Sequence, residues 1–111
     1  MGWAPRTHGD PVGIYPYILT TARESPHDGL FTCRSIDTDA LGWIVERAAK
    51  RRMADLISER IWTPIGAQHD AEVTSDTLGS AIHDGGISAT ARDLGRFGLM
   101  LLDRGWSTVA R

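Results

Sequence analysis

The chain has a single cysteine, Cys33, and a single lysine, Lys50, among its 111 residues. One cysteine excludes an internal disulfide framework and fits a reducing compartment, so a cytoplasmic location is expected. The opening MGWAPRTHGD has neither a basic stretch nor an apolar one, so it does not read as a secretory signal. Gly2 follows the initiator as in a myristoylation start, but Arg6 stands where Ser or Thr is needed. No apolar run approaches the length of a membrane span, and no membrane partner is expected. A net charge of −2 offers no basic face for nucleic acid. Internal repeats and low-complexity tracts are also missing.

Two catalytic signatures are absent as well. Serine activation by a lysine on the neighbouring helical turn needs Ser-x-x-Lys, and Arg47 stands three residues before Lys50. No Gly-x-Ser-x-Gly elbow occurs. The four histidines, His8, His27, His69 and His83, neither pair at i, i+4 nor sit beside Cys33, so no metal site is expected. They read as exposed loop residues. Two of them open an HDG turn, at His27 and at His83. Gly85-Gly86 lacks the spacing of a phosphate loop and reads as a place for close backbone packing.

What is present is an ordinary soluble composition, 41% hydrophobic and 23% charged, enough for one small domain or part of one. A chain of this length buries about two-thirds of its unfolded surface when it folds alone. Residues 1–30 are punctuated by Pro5, Gly9, Pro11, Gly13, Pro16, Pro26 and Gly29, and read as loop with one short helix near Ile14–Leu19. Pro16 is tolerable there only in the first turn. Ala40, Leu41, Ile44, Val45 and Ala48 then form one apolar stripe at helical spacing, with Asp37 or Thr38 as N-cap. Arg47, Lys50, Arg51 and Arg52 gather at its far end, where they suit the helix dipole. Met53, Leu56, Ile57 and Ile61 mark a second helix, stopped at Pro64 and Gly66. Residues 66–87 read as a long surface connection.

The last helix opens with Thr90-Ala91-Arg92-Asp93, a capping-box variant with Asp in place of Glu. Leu94, Phe97, Leu99, Met100, Leu101 and Leu102 make it apolar nearly all round. Such a helix wants cover from more than one side, which a protein this small can hardly supply. Trp43 and Trp62 lie in helices and read as core or contact residues; Trp3 and Trp106 lie near the ends. Cys33 reads as a small buried hydrophobe, because thiol reactivity needs a cation, a histidine or a helix N-terminus at its side.

The segments GWAPR, SIDTDALGWIVERA, RRMADLISERIWTPIGAQHDAEVT and GGISATARDLGRFGLMLLDRG, in that order and spacing, resemble serine hydrolases of the β-lactamase and penicillin-binding-protein superfamily. The resemblance covers roughly residues 2–105 and is strongest to the class C-like branch of esterases and 6-aminohexanoate-dimer hydrolases. It implies attack on an amide or ester carbonyl by the serine of Ser-x-x-Lys, an acyl-enzyme, and proton transfer helped by the tyrosine of a Tyr-x-Asn or Tyr-x-Ser motif. Cys33-Arg34-Ser35 aligns with Tyr-x-Ser: Ser35 keeps the third position and Cys33 replaces the tyrosine. The Ser-x-x-Lys and Lys-Thr-Gly-type motifs would flank this region on either side. Lys50 falls where the family places the glycine that ends a helix, and a lysine forced to positive φ there costs about 1 kcal/mol.

The fold implied is mainly α: the helical subdomain of the α/β serine β-lactamase-like fold, lacking most or all of the sheet domain. Residues 31–105 would form that subdomain, and residues 106–111 a tail without a match. The resemblance implies no cofactor and a small amide or ester substrate in the intact parent, with the missing sheet domain as natural packing partner. It also implies that the chain is inactive alone, poorly soluble or loosely packed. Two other readings stand beside it: a non-catalytic helical binding module, and a cysteine- or metal-dependent enzyme.

Overall fold

Caps and breakers set most of the helix ends. The computed structural model describes residues 7–105; GWAPR, Trp3, Trp106 and the tail WSTVAR lie outside the described residues. In chain order, α1 spans Ile14–Ile18, α2 Ser35–Ala49 and α3 Met53–Ile57, which a π-helical turn, Ser58–Trp62, continues. Then come β1, Glu72–Val73, β2, Ile87–Ser88, and α4, Ala91–Leu102. The protein is thus mostly helical with one small sheet.

The short first helix forms where the apolar run predicts it, with Pro16 in its first turn. Its N-cap is Gly13 at φ 90°, and the Ile14 N–H donates to Asp76 Oδ2 across 62 residues of chain, at 2.8 Å. A Cβ on Gly13 would lie 2.8 Å from that same oxygen, so the contact requires glycine.

Helix α2 starts earlier than Asp37 or Thr38. Its N-cap is Arg34, whose side chain caps nothing, and Asp37 lies in the first turn, where its charge suits the dipole. At the other end Lys50 adopts φ 53°, ψ 36°, the left-handed conformation that favours glycine. The second predicted helix is present but widens: the N–H groups of Thr63 and Ala67 reach the carbonyls of Ser58 and Trp62, five residues back.

Residues 66–87 are not a bare connection. β1 and β2 pair antiparallel, Glu72 opposite Ser88 and Val73 opposite Ile87, and Ser75 bridges Ala81. Between them Asp76 Oδ1 accepts the N–H groups of Leu78 and Ser80, each at 2.9 Å, closing an Asx-type turn. Gly86, at φ 82°, carries its carbonyl to the Thr74 N–H and hydroxyl; a Cβ there would come within 2.5 Å of Thr74 Oγ1. Close packing is therefore the role of Gly86, whereas Gly85 faces open space.

The core is small. Among the described residues the buried apolar side chains are Ile65 and Ala81, and the buried polar ones are Asp39 and Asp93. The apolar stripe read along α2 turns outward: Leu41 is 60% exposed and Ile44 62%. On α4, Leu94, Leu99, Leu101 and Leu102 are also more than half exposed. The chain leaves 9043 Å² accessible to water, whereas a compact monomer of this mass leaves about 6,000 Å². Among the described residues, the outward hydrophobic faces of α2 and α4 find little to close against.

Candidate functional site

Four carboxylates do the holding that the core does not, and two of them, Asp39 and Glu46, fix the surroundings of α2. Asp39, one turn after Ser35, is 3% exposed. Its Oδ1 accepts the N–H groups of His83 and Asp84, at 2.7 and 3.2 Å, pinning the 83–86 turn against the first half of the helix. Glu46, near the other end, takes the Met53 N–H on Oε1 at 2.7 Å and the Tyr15 hydroxyl on Oε2. It therefore ties both α1 and the start of α3 to α2. Burial, and then the Glu46 hydrogen bond, push the Tyr15 hydroxyl's pKa well above the ordinary phenol range. Burial resists ionisation of Asp76, but N–H donors from Ile14, Ser80 and Leu78 outweigh it and hold that carboxyl below its usual value.

Asp93 is fully buried in α4. Its carboxylate accepts from the N–H groups of Gln68 and His69, at 3.0 and 3.1 Å, from the Thr90 hydroxyl at 2.9 Å and from Arg96 Nη1 at 2.6 Å. The Gln68 N–H lowers its pKa most; burial opposes, and Thr90, Arg96 and His69 add to the lowering. Thr90 does cap the helix, accepting the Asp93 N–H at 3.2 Å. The carboxylate does not reach back to the N-cap backbone as a capping box requires; it holds the 68–69 segment instead.

His83 corrects the reading of exposed loop histidines. Its side chain is 6% exposed, its ring lies parallel to Tyr15 at 6.3 Å, and Tyr15 stacks on Trp43 at 4.8 Å. Neither ring nitrogen has a hydrogen-bond partner among the described residues. A Cβ at Gly42 would sit 2.1 Å from the His83 ring, so the histidine packs directly on the helix backbone. His8, His27 and His69 are exposed as expected. Trp62 is half-buried, and its indole N–H donates to the His69 carbonyl at 2.8 Å.

The sequence-predicted residues lie at the N-terminal end of α2. Ser35 is its first residue and Cys33 precedes it by two; both are exposed. Cys33 is a free and exposed thiol, not the buried hydrophobe expected, and it lies closer to a helix N-terminus than the sequence suggests. Arg34 between them pairs with Glu24 at 2.7 Å, tying the segment that leads into α2 to the preceding loop. Lys50, the sole lysine, sits at the opposite end of α2, about 22 Å along the axis at 1.5 Å per residue, so it cannot activate Ser35. Among the described residues no group of three or more His, Cys, Asp and Glu could hold a metal ion, and no helix is long and apolar enough to cross a membrane. The buried roles of Asp39, Asp93 and His83 are not legible in the sequence. The backbone N–H groups that the two carboxylates accept lie 24 to 45 residues away, and the available signal is an acidic residue set into an otherwise helical apolar segment.

No family model matches the chain. Over 104 residues it is 43% identical to the 6-aminohexanoate-dimer hydrolase of Paenarthrobacter ureafaciens, a match that covers 94% of this chain and 26% of that protein. It also superposes on a solved Bacillus anthracis chain provisionally named a 6-aminohexanoate-dimer hydrolase, with a TM-score of 0.86 and 31% identity over 94% of this chain and 27% of the other. The resemblance of the sequence segments to 6-aminohexanoate-dimer hydrolases is borne out. The chain spans about a quarter of the length of the relatives it matches.

Proposed function

We propose that this chain is part of the helical subdomain of a β-lactamase-related serine hydrolase that cleaves amide or ester bonds through an acyl-serine, and that it is inactive alone. The observation that carries the reading is the match to two hydrolase-named chains across 94% of this chain, in one case by sequence and in the other by fold. The outward apolar residues of α2 and α4 support the sheet domain as the missing packing partner. A linear amide of the kind for which these relatives are named leads the candidate substrates. A cytoplasmic site of action completes the proposal.

In this reading Ser35 lies at the edge of the cleft between the two subdomains. Its position at the first turn of α2, beside backbone N–H groups that lack helical acceptors, lets its hydroxyl help orient the reacting groups. Cys33 stands where a phenol would deliver the proton to the leaving group. A thiol has a pKa near 8.5 and can carry a proton, but its reach is far shorter.

The test is labelling with a fluorophosphonate, which reacts with activated serines. The purified chain should stay unlabelled; a labelled chain overturns the reading. The chain is then co-expressed with the Paenarthrobacter hydrolase deleted for the matched quarter. Recovery of labelling and of 6-aminohexanoate-dimer hydrolysis supports the proposal. If the two parts form no complex, the non-catalytic binding module takes its place.

A further inference from the structure

The one lysine of the chain occupies a backbone conformation that lysine disfavours, at φ 53°. Strained residues of this kind persist where the surroundings over-determine them, and they cluster at binding sites. The turn it makes brings Arg47, Lys50, Arg51 and Arg52 around one shallow, largely open cleft of about 280 Å³, lined also by Tyr15, Trp43 and Glu46.

The cations in this cleft are not equally engaged. Arg51 pairs with Glu59, and Arg52 Nη2 donates to the Gly79 carbonyl at 3.0 Å. Arg47 and Lys50 make no side-chain hydrogen bond or ion pair with any described residue. The one carboxylate lining the cleft, Glu46, already has the Tyr15 hydroxyl on one oxygen and the Met53 N–H on the other. Positive charge therefore stays in excess here, in a chain whose net charge is −2. The carbonyls ending α2 neutralise about half a charge of it.

We propose that this cleft binds a phosphate group. The free Arg47 guanidinium and the Lys50 ammonium, with Arg51 and Arg52 beside them, match the oxygens of a phosphate, which arginine grips with two parallel hydrogen bonds. The parallel stack of Tyr15 on Trp43 beside it gives a flat apolar surface for the body that carries the phosphate.

Pyrophosphate is titrated into the isotopically labelled chain at constant ionic strength, with chloride as the reference, and the backbone amide shifts of residues 47–52 are followed. Saturable shifts confined to this turn are expected. Lys50→Gly and Arg47→Gln should each weaken binding about tenfold, whereas Arg92→Gln on α4 should not change it. Because glycine is the favoured residue at this φ, Lys50→Gly should raise stability while it lowers affinity, so lost binding cannot be put down to unfolding. Shifts that chloride reproduces, or that survive in both cleft variants, overturn the proposal. Binding of free pyrophosphate assigns the site to a soluble ligand; binding seen only with phosphatidic acid vesicles assigns the phosphate to a lipid headgroup, and both results support it.

Discussion

At the scale of single residues, the backbone of Lys50 gives the cleanest prediction. An L-residue held at φ 53° costs about 1 kcal/mol that glycine does not. Lys50→Gly should therefore raise the stability of the chain by about 1 kcal/mol, read as an upward shift of the urea midpoint followed at the helical far-UV band. Asp93 gives a pH dependence whose sign is fixed by its partners. Its carboxyl is held below the ordinary range by the Gln68 N–H, Thr90, Arg96 and the His69 N–H, against the opposing effect of burial. The stability this contributes is fully present above the unfolded carboxylate value, near pH 4, and is lost as pH falls through the lower folded value. Asp76 acts in the same direction. The urea midpoint should fall between pH 5 and pH 2, and Asp93→Asn should flatten that fall. An equally steep fall in the variant would assign it to other carboxylates. Under the proposed function, Cys33→Tyr should raise turnover of the complemented hydrolase by about a hundredfold, the low end for a positioned proton donor; unchanged turnover would remove this position from the chemistry.

Whole elements show which parts of the sequence were legible. The start and span of helix α4 are legible because Thr90 is a strong local cap and its apolar residues are dense, although the capping box read there is not formed. The start of α2 was misplaced by a few residues because Arg34 offers no side-chain signal. Its apolar stripe was visible, but which face this chain buries was not. The packed face carries Asp39, Gly42, Trp43 and Glu46, and each is set by a partner outside the helix. Gly42 makes the point testable. A methyl group there would strike the His83 ring, which is buried and cannot swing away. Gly42→Ala should cost about 1–3 kcal/mol despite the better helix propensity of alanine. Pairing it with His83→Ala should recover much of the loss, since the clash then has no second party. Simple addition of the two single costs in the double variant would show that the helix and the 83–86 turn are not packed as described. The ordered 66–87 segment was hidden for a related reason. Its long-range hydrogen bonds run from Gln68 to Asp93, from His83 to Asp39 and between Asp76 and Ile14, and no local window contains both ends of such bonds.

For the whole molecule, the balance between clasps and core decides how it should melt. Hydrogen bonds to carboxylates fix local geometry, but cooperativity comes from apolar area shared between elements, and Ile65 and Ala81 share little. The slope of stability against urea scales with the surface newly exposed on unfolding. A chain that already shows 9043 Å² when folded exposes less on unfolding than a compact domain of its length. Its urea transition should be shallow, its near-UV dichroism weak, and its binding of a hydrophobic dye strong. Replacing an outward residue such as Leu101, 61% exposed, with lysine should change the stability of the isolated chain by less than about 0.5 kcal/mol while reducing its aggregation. In the complemented hydrolase the same substitution should instead weaken assembly, because there the leucine would face the sheet domain. A steep urea transition with sharp tryptophan bands in the chain alone would mean that α2 and α4 have found cover without a partner, and the proposal of a missing sheet domain would lose its physical basis.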